Sequence, residues 1–430
     1  MSRFSGLPDL PAEARVLLVG VAVNALGLGL VLPLLVVYLY DVRGFALDTV
    51  GLLAATPPVV AMVLLGPIGI GIDRLGPRRV QMVALVSSSL GATGLAFATT
   101  VPEAFISMAM LGVGQAAFWP ASQALVAEVV PSPARPTYFG VSFALLNLGI
   151  GVGGVAAAFV AVVERPASFE WLYRLDALSF LVPLALLLGP LRHVGNRAST
   201  RVVTPGTYRD VVSDVVFRRF LLVVFASAFV GYGVIEAGWA GYARVVAEAS
   251  TRTIGLAFAA NTAMILALQL AALRFIDTRR RTSMLALMAG VWALAWLMLG
   301  AAGLVPGTAI ATMLLVGSLA VFGAGETLLS PIVPAITNDL ASDELRGRYN
   351  AVSSFAFQVA AVSAPIIAGL LLDRGWAGVF IGVTVGGCAL LAVVALGLAR
   401  HLPPTANGLA GGSGVADEVA HDLRAQADQR

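Results

Sequence analysis

Apolar residues along this chain fall into long continuous runs separated by short polar breaks. A helix that crosses the hydrocarbon core of a bilayer needs about 20 predominantly apolar residues. Twelve runs of that length lie at about 16–40, 47–72, 79–100, 103–127, 137–163, 175–191, 219–243, 252–274, 282–303, 308–337, 348–372 and 376–399. They are continuous rather than alternating and far exceed the roughly 10 residues of a barrel strand, so a transmembrane β-barrel is excluded. No small-residue cleavage site follows the first run, which therefore reads as a true span and not a signal peptide. The pattern predicts an all-α integral membrane protein with twelve transmembrane helices.

Composition removes the competing classes. Of the 430 residues 58% are hydrophobic and 12% charged, with mean hydropathy +0.89. Soluble domains carry about 25% charged residues. A soluble enzyme, a nucleic-acid binder and a disordered scaffold are all disfavoured, and the bilayer is the expected surrounding. The net charge of +3 comes from 27 basic and 24 acidic residues, and every basic residue is arginine. Without lysine there is no Walker A lysine and no Schiff base. The one cysteine, Cys388, rules out a disulfide framework and a thiolate cluster. His193, His401 and His421 sit in loops or the tail without metal-like spacing. No enzymatic centre, cofactor or metal is expected. The lysine-free, Ala/Gly/Arg-rich usage suggests a high-GC bacterium.

Arginine placement sets the orientation. With the N-terminus cytoplasmic, 21 arginines fall inside, and six fall outside: Arg43, Arg165, Arg174, Arg244, Arg252 and Arg374. Twelve spans with both termini cytoplasmic, in the inner cell membrane, satisfy the positive-inside rule throughout. The longest internal break divides the chain. We expect a cytoplasmic N-terminus (1–15), a six-helix bundle (16–191), a cytoplasmic linker (192–218), a second six-helix bundle (219–400) and a cytoplasmic tail (401–430). The stretch Thr207–Arg219 has helical spacing with Val and Phe on one side, which suits a helix on the membrane surface. A plain tether is the alternative. The tail beyond Pro404, rich in glycine and then mixed charge, reads as disordered.

The halves resemble copies of each other. A shift of 211 residues brings Gly114 onto Gly325, Pro120 onto Pro331, Glu128 onto Asp339, Tyr138 onto Tyr349 and Ser142 onto Ser353. A looser match, offset by 204, relates Asp73, Arg78 and Arg79 to Asp277 and Arg279–Arg281. Repeated halves are a recurring architecture of secondary transporters, with the substrate site between them near the midplane.

The loop after the second span, Gly69-Ile-Gly-Ile-Asp73-Arg74-Leu-Gly76-Pro-Arg78-Arg79, resembles the signature loop of the major facilitator superfamily, with Pro77 where arginine is usual. The resemblance covers about residues 15–400 and implies two pseudo-symmetric six-helix bundles that alternate access to a central cavity. It also implies that Gly69, Asp73, Arg74, Gly76, Arg78 and Arg79 form a conformational latch on the cytoplasmic side, with the eleventh helix as partner. Glycines let helices approach closely, and Asp73 can make charge-assisted contacts that break and re-form.

Gly112-Val-Gly-Gln115-Ala-Ala-Phe-Trp119-Pro120 and Tyr173-Arg-Leu-Asp176-Ala-Leu-Ser-Phe180 resemble stretches of bacterial multidrug and macrolide exporters, the drug:proton antiporters. The chain departs from them at Met108, where they carry arginine, and at Ile150, where they carry proline.

Charge inside a span is expensive and calls for a reason. Glu236 in the seventh span and Glu326 in the tenth are the two acids well inside; in this superfamily helices 1, 4, 7 and 10 line the cavity, which suits both to proton coupling. Asp176 and Glu128 fall at predicted span ends and suit loop or latch contacts. Asn24, Gln115, Trp119, Tyr232, Trp239, Asn261 and Gln358 are the expected polar and aromatic cavity lining, with packing as the alternative role for each aromatic. No arginine within a span is available to clamp a phosphate or carboxylate. Few hydrogen bonders, several aromatics and two acids suit a small amphiphilic, neutral or cationic organic molecule. The resulting expectation is a monomeric, proton-coupled exporter by alternating access. Uptake by symport, an uncoupled facilitator for a metabolite or lipid, and a non-transporting receptor of the same fold are the alternatives.

Overall fold

The computed structural model describes residues 10–131, 134–195, 208–277, 279–342 and 345–408. The side chains of Asp73, Glu236, Asp277 and Arg346 lie outside the described part, although the helices that carry them are defined. Twelve helices are long and apolar enough to cross a membrane. We number them α1 (Ala12–Val42), α2 (Leu47–Leu75), α3 (Pro77–Phe97), α4 (Val101–Val129), α5 (Arg135–Val160) and α6 (Pro166–Leu188) in the first half. The second half holds α7 (215–245), α8 (Thr251–Asp277), α9 (Arg281–Ala302), α10 (Ala309–Leu340), α11 (Arg346–Asp373) and α12 (Ala377–Leu398).

Local signals set the helix ends. Thr100 and Glu103 form a capping box at α4, with the Glu103 carboxylate accepting from the Thr99 and Thr100 amides at 2.8 and 3.0 Å. Asp214 caps α7 by accepting from Val216 and Phe217, and also accepts the Tyr349 hydroxyl of α11 at 2.8 Å. Gly76, at φ +83°, makes the tight turn from α2 into α3, where Pro77 occupies the first helical position.

Three expectations change. The sixth span begins at Pro166, not near 175, so Asp176 stands in mid-helix instead of at an end. Arg174 and Glu170 hid that start, because they pair with each other one turn apart at 3.4 Å. The helix expected over 207–219 is a six-residue helix, Tyr208–Ser213, and the residues from Val215 onward belong to α7. Residues 404–408 are held in place: the Asn407 carbonyl accepts from the Arg281 amide at 3.1 Å, and its side-chain oxygen accepts from the Thr282 amide and hydroxyl, both at 3.1 Å. The rest of the linker and tail expectations fall on 196–207 and 409–430, outside the described residues.

The helices form two six-helix bundles with matching internal packing. In the first, α4 packs on α2 and α3, and α3 on α6; in the second, α10 packs on α8 and α9, and α9 on α12. The halves meet mainly through α2 against α11 and α5 against α8. Small residues make these seams: a Cβ added to Gly51 would lie 2.5 Å from the Pro365 carbonyl, and one added to Gly255 would lie 2.6 Å from Ala158. At the same end of the molecule, away from the termini, Arg244 of α7 pairs with Asp41 of α1 at 2.7 Å, and Thr251 donates to the Ala161 carbonyl at 3.2 Å. At the termini end Gly66 and Gly69 of α2 have no described neighbour within 4 Å of a Cβ built on them. The bundles are thus packed on each other at the end away from the termini.

Candidate substrate and proton site

In the second bundle Glu326 is the centre of a polar and aromatic cluster. It follows Gly323-Ala-Gly325 on α10, and both glycines are needed for space. A Cβ at Gly323 would strike Asn261 of α8, and one at Gly325 would lie 2.5 Å from the Trp292 indole of α9. The Asn261 amide donates to the Glu326 carboxylate at 2.8 Å and to the Leu319 carbonyl at 3.2 Å. The Tyr232 hydroxyl of α7 lies beside the same carboxyl. Glu326, Asn261 and Tyr232 are each half-buried.

Aromatic rings wall this carboxyl. Tyr232 lies 5.8 Å from Phe357 of α11 and meets Trp292 edge-on at 6.4 Å. Trp292 stacks on Phe322 at 4.5 Å with an interplanar angle of 3°, and its indole donates to the Phe322 carbonyl at 3.0 Å. The tyrosine can approach because α7 is not a regular helix. It passes through two π-turns, Phe229–Gly233 and Ile235–Trp239, and Gly231 departs from helical angles at φ −104°, ψ −107°. The Val230 carbonyl receives the Trp296 indole N–H at 2.9 Å.

The other expected site residues are dispersed. Gln358 is half-buried on α11, next to Phe357. Trp239 is 1% exposed and sits in the core of the second bundle, donating to Ser318 at 3.0 Å and edge-on to Phe258. Glu236 lies on the second π-turn of α7. In the first bundle Gln115 and Trp119 are exposed on one face of α4, while Gly112 and Gly114 turn the opposite faces onto α2 and α3. Asn24 is half-buried on α1, and its amide nitrogen has no partner. Among the latch residues Arg74 and Arg79 are exposed, and Arg78 donates to the Leu187 carbonyl at the end of α6 at 3.0 Å. The Arg78 amide also reaches the Gly195 carbonyl at 3.3 Å, and the Gly195 amide donates to Glu128 at 2.9 Å. Arg281 makes the equivalent set in the second half, to Asp339 and the Ala406 carbonyl. Sequence reasoning missed Trp292, Phe322 and Phe357, for which the glycines facing Trp292 were the available signal. Among the described residues no three His, Cys, Asp or Glu side chains converge on a point that could hold a metal ion.

The Major Facilitator Superfamily profile matches residues 17–240 and 239–420. The chain belongs to the Major Facilitator Superfamily. Among superfamily relatives it is similar to an uncharacterized transporter, YttB, of Bacillus subtilis (strain 168), 23% identical over 380 residues that cover 85% of this chain and 89% of that one. Shorter matches reach the Na+, Li+, K+/H+ antiporter of Planococcus maritimus, 30% identical over 185 residues and 42% of each chain. The quinolone resistance protein NorA of Staphylococcus aureus is 28% identical over 165 residues, 38% of this chain and 42% of that one. Among solved structures, the D-xylose–proton symporter superposes with a TM-score of 0.72 at 16% identity, covering 91% of this chain and 98% of that one. The nucleoside transporter NupG gives 0.69 at 13% identity, covering 91% and 100%. This superfamily chain is a multi-pass membrane transporter.

Proposed function

We propose that this transporter exports a small amphiphilic organic molecule in exchange for protons, with Glu326 as the coupling carboxyl. The arrangement that carries the reading is an acid on a bundle-facing helix, held by an amide and a hydroxyl from two other helices and walled by aromatic rings. The rings suit a flat or cationic ligand. Asn261 and Tyr232 can solvate the ionised form, and the half-buried carboxyl can take up a proton when substrate leaves. Competition between substrate and proton for one carboxyl couples their fluxes. The similarity to NorA, named for quinolone resistance, supports an organic substrate. Both termini are taken as cytoplasmic, on the arginine distribution. The end where the bundles are packed together then faces away from the cytoplasm, which corresponds to an inward-open state.

The test uses purified protein in proteoliposomes, with norfloxacin and ethidium as probes and an imposed pH difference. The native protein accumulates a probe against its gradient, whereas Glu326→Gln, which keeps shape and removes the titratable proton, binds it but does not concentrate it. Accumulation by Glu326→Gln at the native level assigns coupling elsewhere. Uptake by symport predicts the opposite direction of accumulation for the same pH gradient.

A further inference from the structure

Besides Glu326 and Glu236 in the second bundle, the first bundle holds an acid within the membrane, Asp176, which the coupling reading does not use. It stands mid-way along α6, 3% exposed, where α6 packs against α1 and α3. Its Oδ1 atom is buried and has no hydrogen-bond partner. That oxygen is aimed at α1: a Cβ on Gly27 would lie 2.9 Å from it and would overlap Ser179 Oγ. Ser179, one turn on, donates its hydroxyl to the Asp176 backbone carbonyl at 2.7 Å.

The surroundings are asymmetric in a telling way. Around Asp176, α1 presents Gly27 and, one turn away, Asn24, and α3 presents Ser89, which donates to the Ala177 carbonyl at 2.9 Å. The titratable neighbours on α6 and beyond are Tyr173, one turn before Asp176, and Tyr38, whose ring lies 4.6 Å from that of Tyr173. Arg43 is engaged with Tyr38 and Glu170, and no ion pair among the described residues reaches Asp176. An ionised carboxylate without a cation, with one oxygen unsatisfied between packed helices, is strongly disfavoured; the neutral acid is not. Two buried donors in this region, Asn24 Nδ2 and the Tyr173 hydroxyl, have no acceptor. Both are of the kind that an ionised carboxylate would engage.

We propose that Asp176 is a second proton-carrying carboxyl, filled while α1 is closed on α6 and emptied when the two helices part. The bound species is a proton on a carboxyl oxygen. It leaves to water that enters as Gly27 moves off Asp176, and the carboxylate left behind is met by the Asn24 and Tyr173 donors. The site lies in the opposite bundle from Glu326 and does not depend on the coupling role proposed for that residue.

The experiment is infrared pH-difference spectroscopy on the full chain in lipid, read at the protonated-carboxyl stretching band. Asp176→Asn is expected to lose a component that Glu326→Gln retains, and the component bleaches as the pH is raised. If the Asp176→Asn spectrum is unchanged, or if the component never bleaches while the protein stays folded, the proposal is overturned. Replacing choline chloride by sodium chloride at constant pH should leave the component intact; its loss would assign the site to an alkali ion and overturn the proton. Ser179→Ala provides the reading if Asp176→Asn does not accumulate. It keeps the acid and removes its hydroxyl neighbour, so the pH of bleaching shifts, and an unshifted pH counts against the site.

Discussion

At the residue scale, glycine in this protein has two opposite meanings that the letter alone does not separate. Gly325 is a contact: its missing Cβ is the space the Trp292 indole fills. Gly69 has no described neighbour within 4 Å of a Cβ. Gly325→Ala should cost about 1–3 kcal/mol through overpacking and lower the melting temperature in detergent. Gly69→Ala should leave melting unchanged or raised, since alanine is the better helix former by about 1 kcal/mol. If Gly69 serves a latch that closes on the opposite half, its alanine variant nonetheless slows transport turnover in proteoliposomes. Equal melting losses in the two variants would contradict this division. Glu326 and Asp176 show the same limit for acids. Glu326 was visible inside an apolar run and Asp176 fell at an expected span end, but the Asn261 and Tyr232 groups around the first, and the buried, unpartnered carboxyl oxygen of the second, are products of helix neighbours far away in sequence.

At the element scale, the irregular helix α7 carries the most information. Its composition reads as one more span, and its length was legible because apolar burial requires it. Its break was not, because Gly231 is one glycine among several and only the partner helix decides which of them bends. Trp296 of α9 answers that bend by donating to the freed Val230 carbonyl. Trp296→Phe keeps the packing against Phe322 and Phe380 and leaves that carbonyl unpaired. The expected loss is about 1–3 kcal/mol, measured as a lower melting temperature, with reduced substrate exchange because Tyr232 is no longer held at the Glu326 carboxyl. Retention of native melting would mean that water pairs the carbonyl equally well. The start of α6 illustrates the complementary failure: Glu170 and Arg174 reduce the apparent hydropathy, yet they satisfy each other one turn apart and the helix continues through them.

At the scale of the whole molecule, the closed end is held by small-residue seams, by the Thr251 hydroxyl on the Ala161 carbonyl and, among the described residues, by an ion pair between halves, Asp41 to Arg244 at 2.7 Å. The side chains are only 16% and 24% exposed, and Arg244 also donates to the Ala249 carbonyl, so the pair is well ordered. Breaking it should shift the balance between the two access states by about 1 kcal/mol, roughly fivefold. Arg244→Gln is therefore expected to increase labelling of a reporter cysteine at the closed end about that much, while the exchanged pair Asp41→Arg with Arg244→Asp restores the native level. Labelling that stays native in Arg244→Gln would assign the closure to the Gly51 and Gly255 seams and the Thr251 hydroxyl.

The membrane class, the number of spans and the repeat were legible from local rules alone: apolar length and matched letters at one offset. The loop between α2 and α3 was legible through its resemblance to the superfamily signature, and Gly76 makes its turn there at φ +83°. Tertiary structure alone decided which end is shut, which glycines touch a neighbour, and which polar groups are left without partners. Those outcomes depend on the approach of helices such as α1 and α6, or α8 and α10, whose contacting residues lie between about 60 and 150 positions apart. No window along the chain contains both sides of such a contact, and in a span that is apolar all round the pattern does not mark which face will meet it.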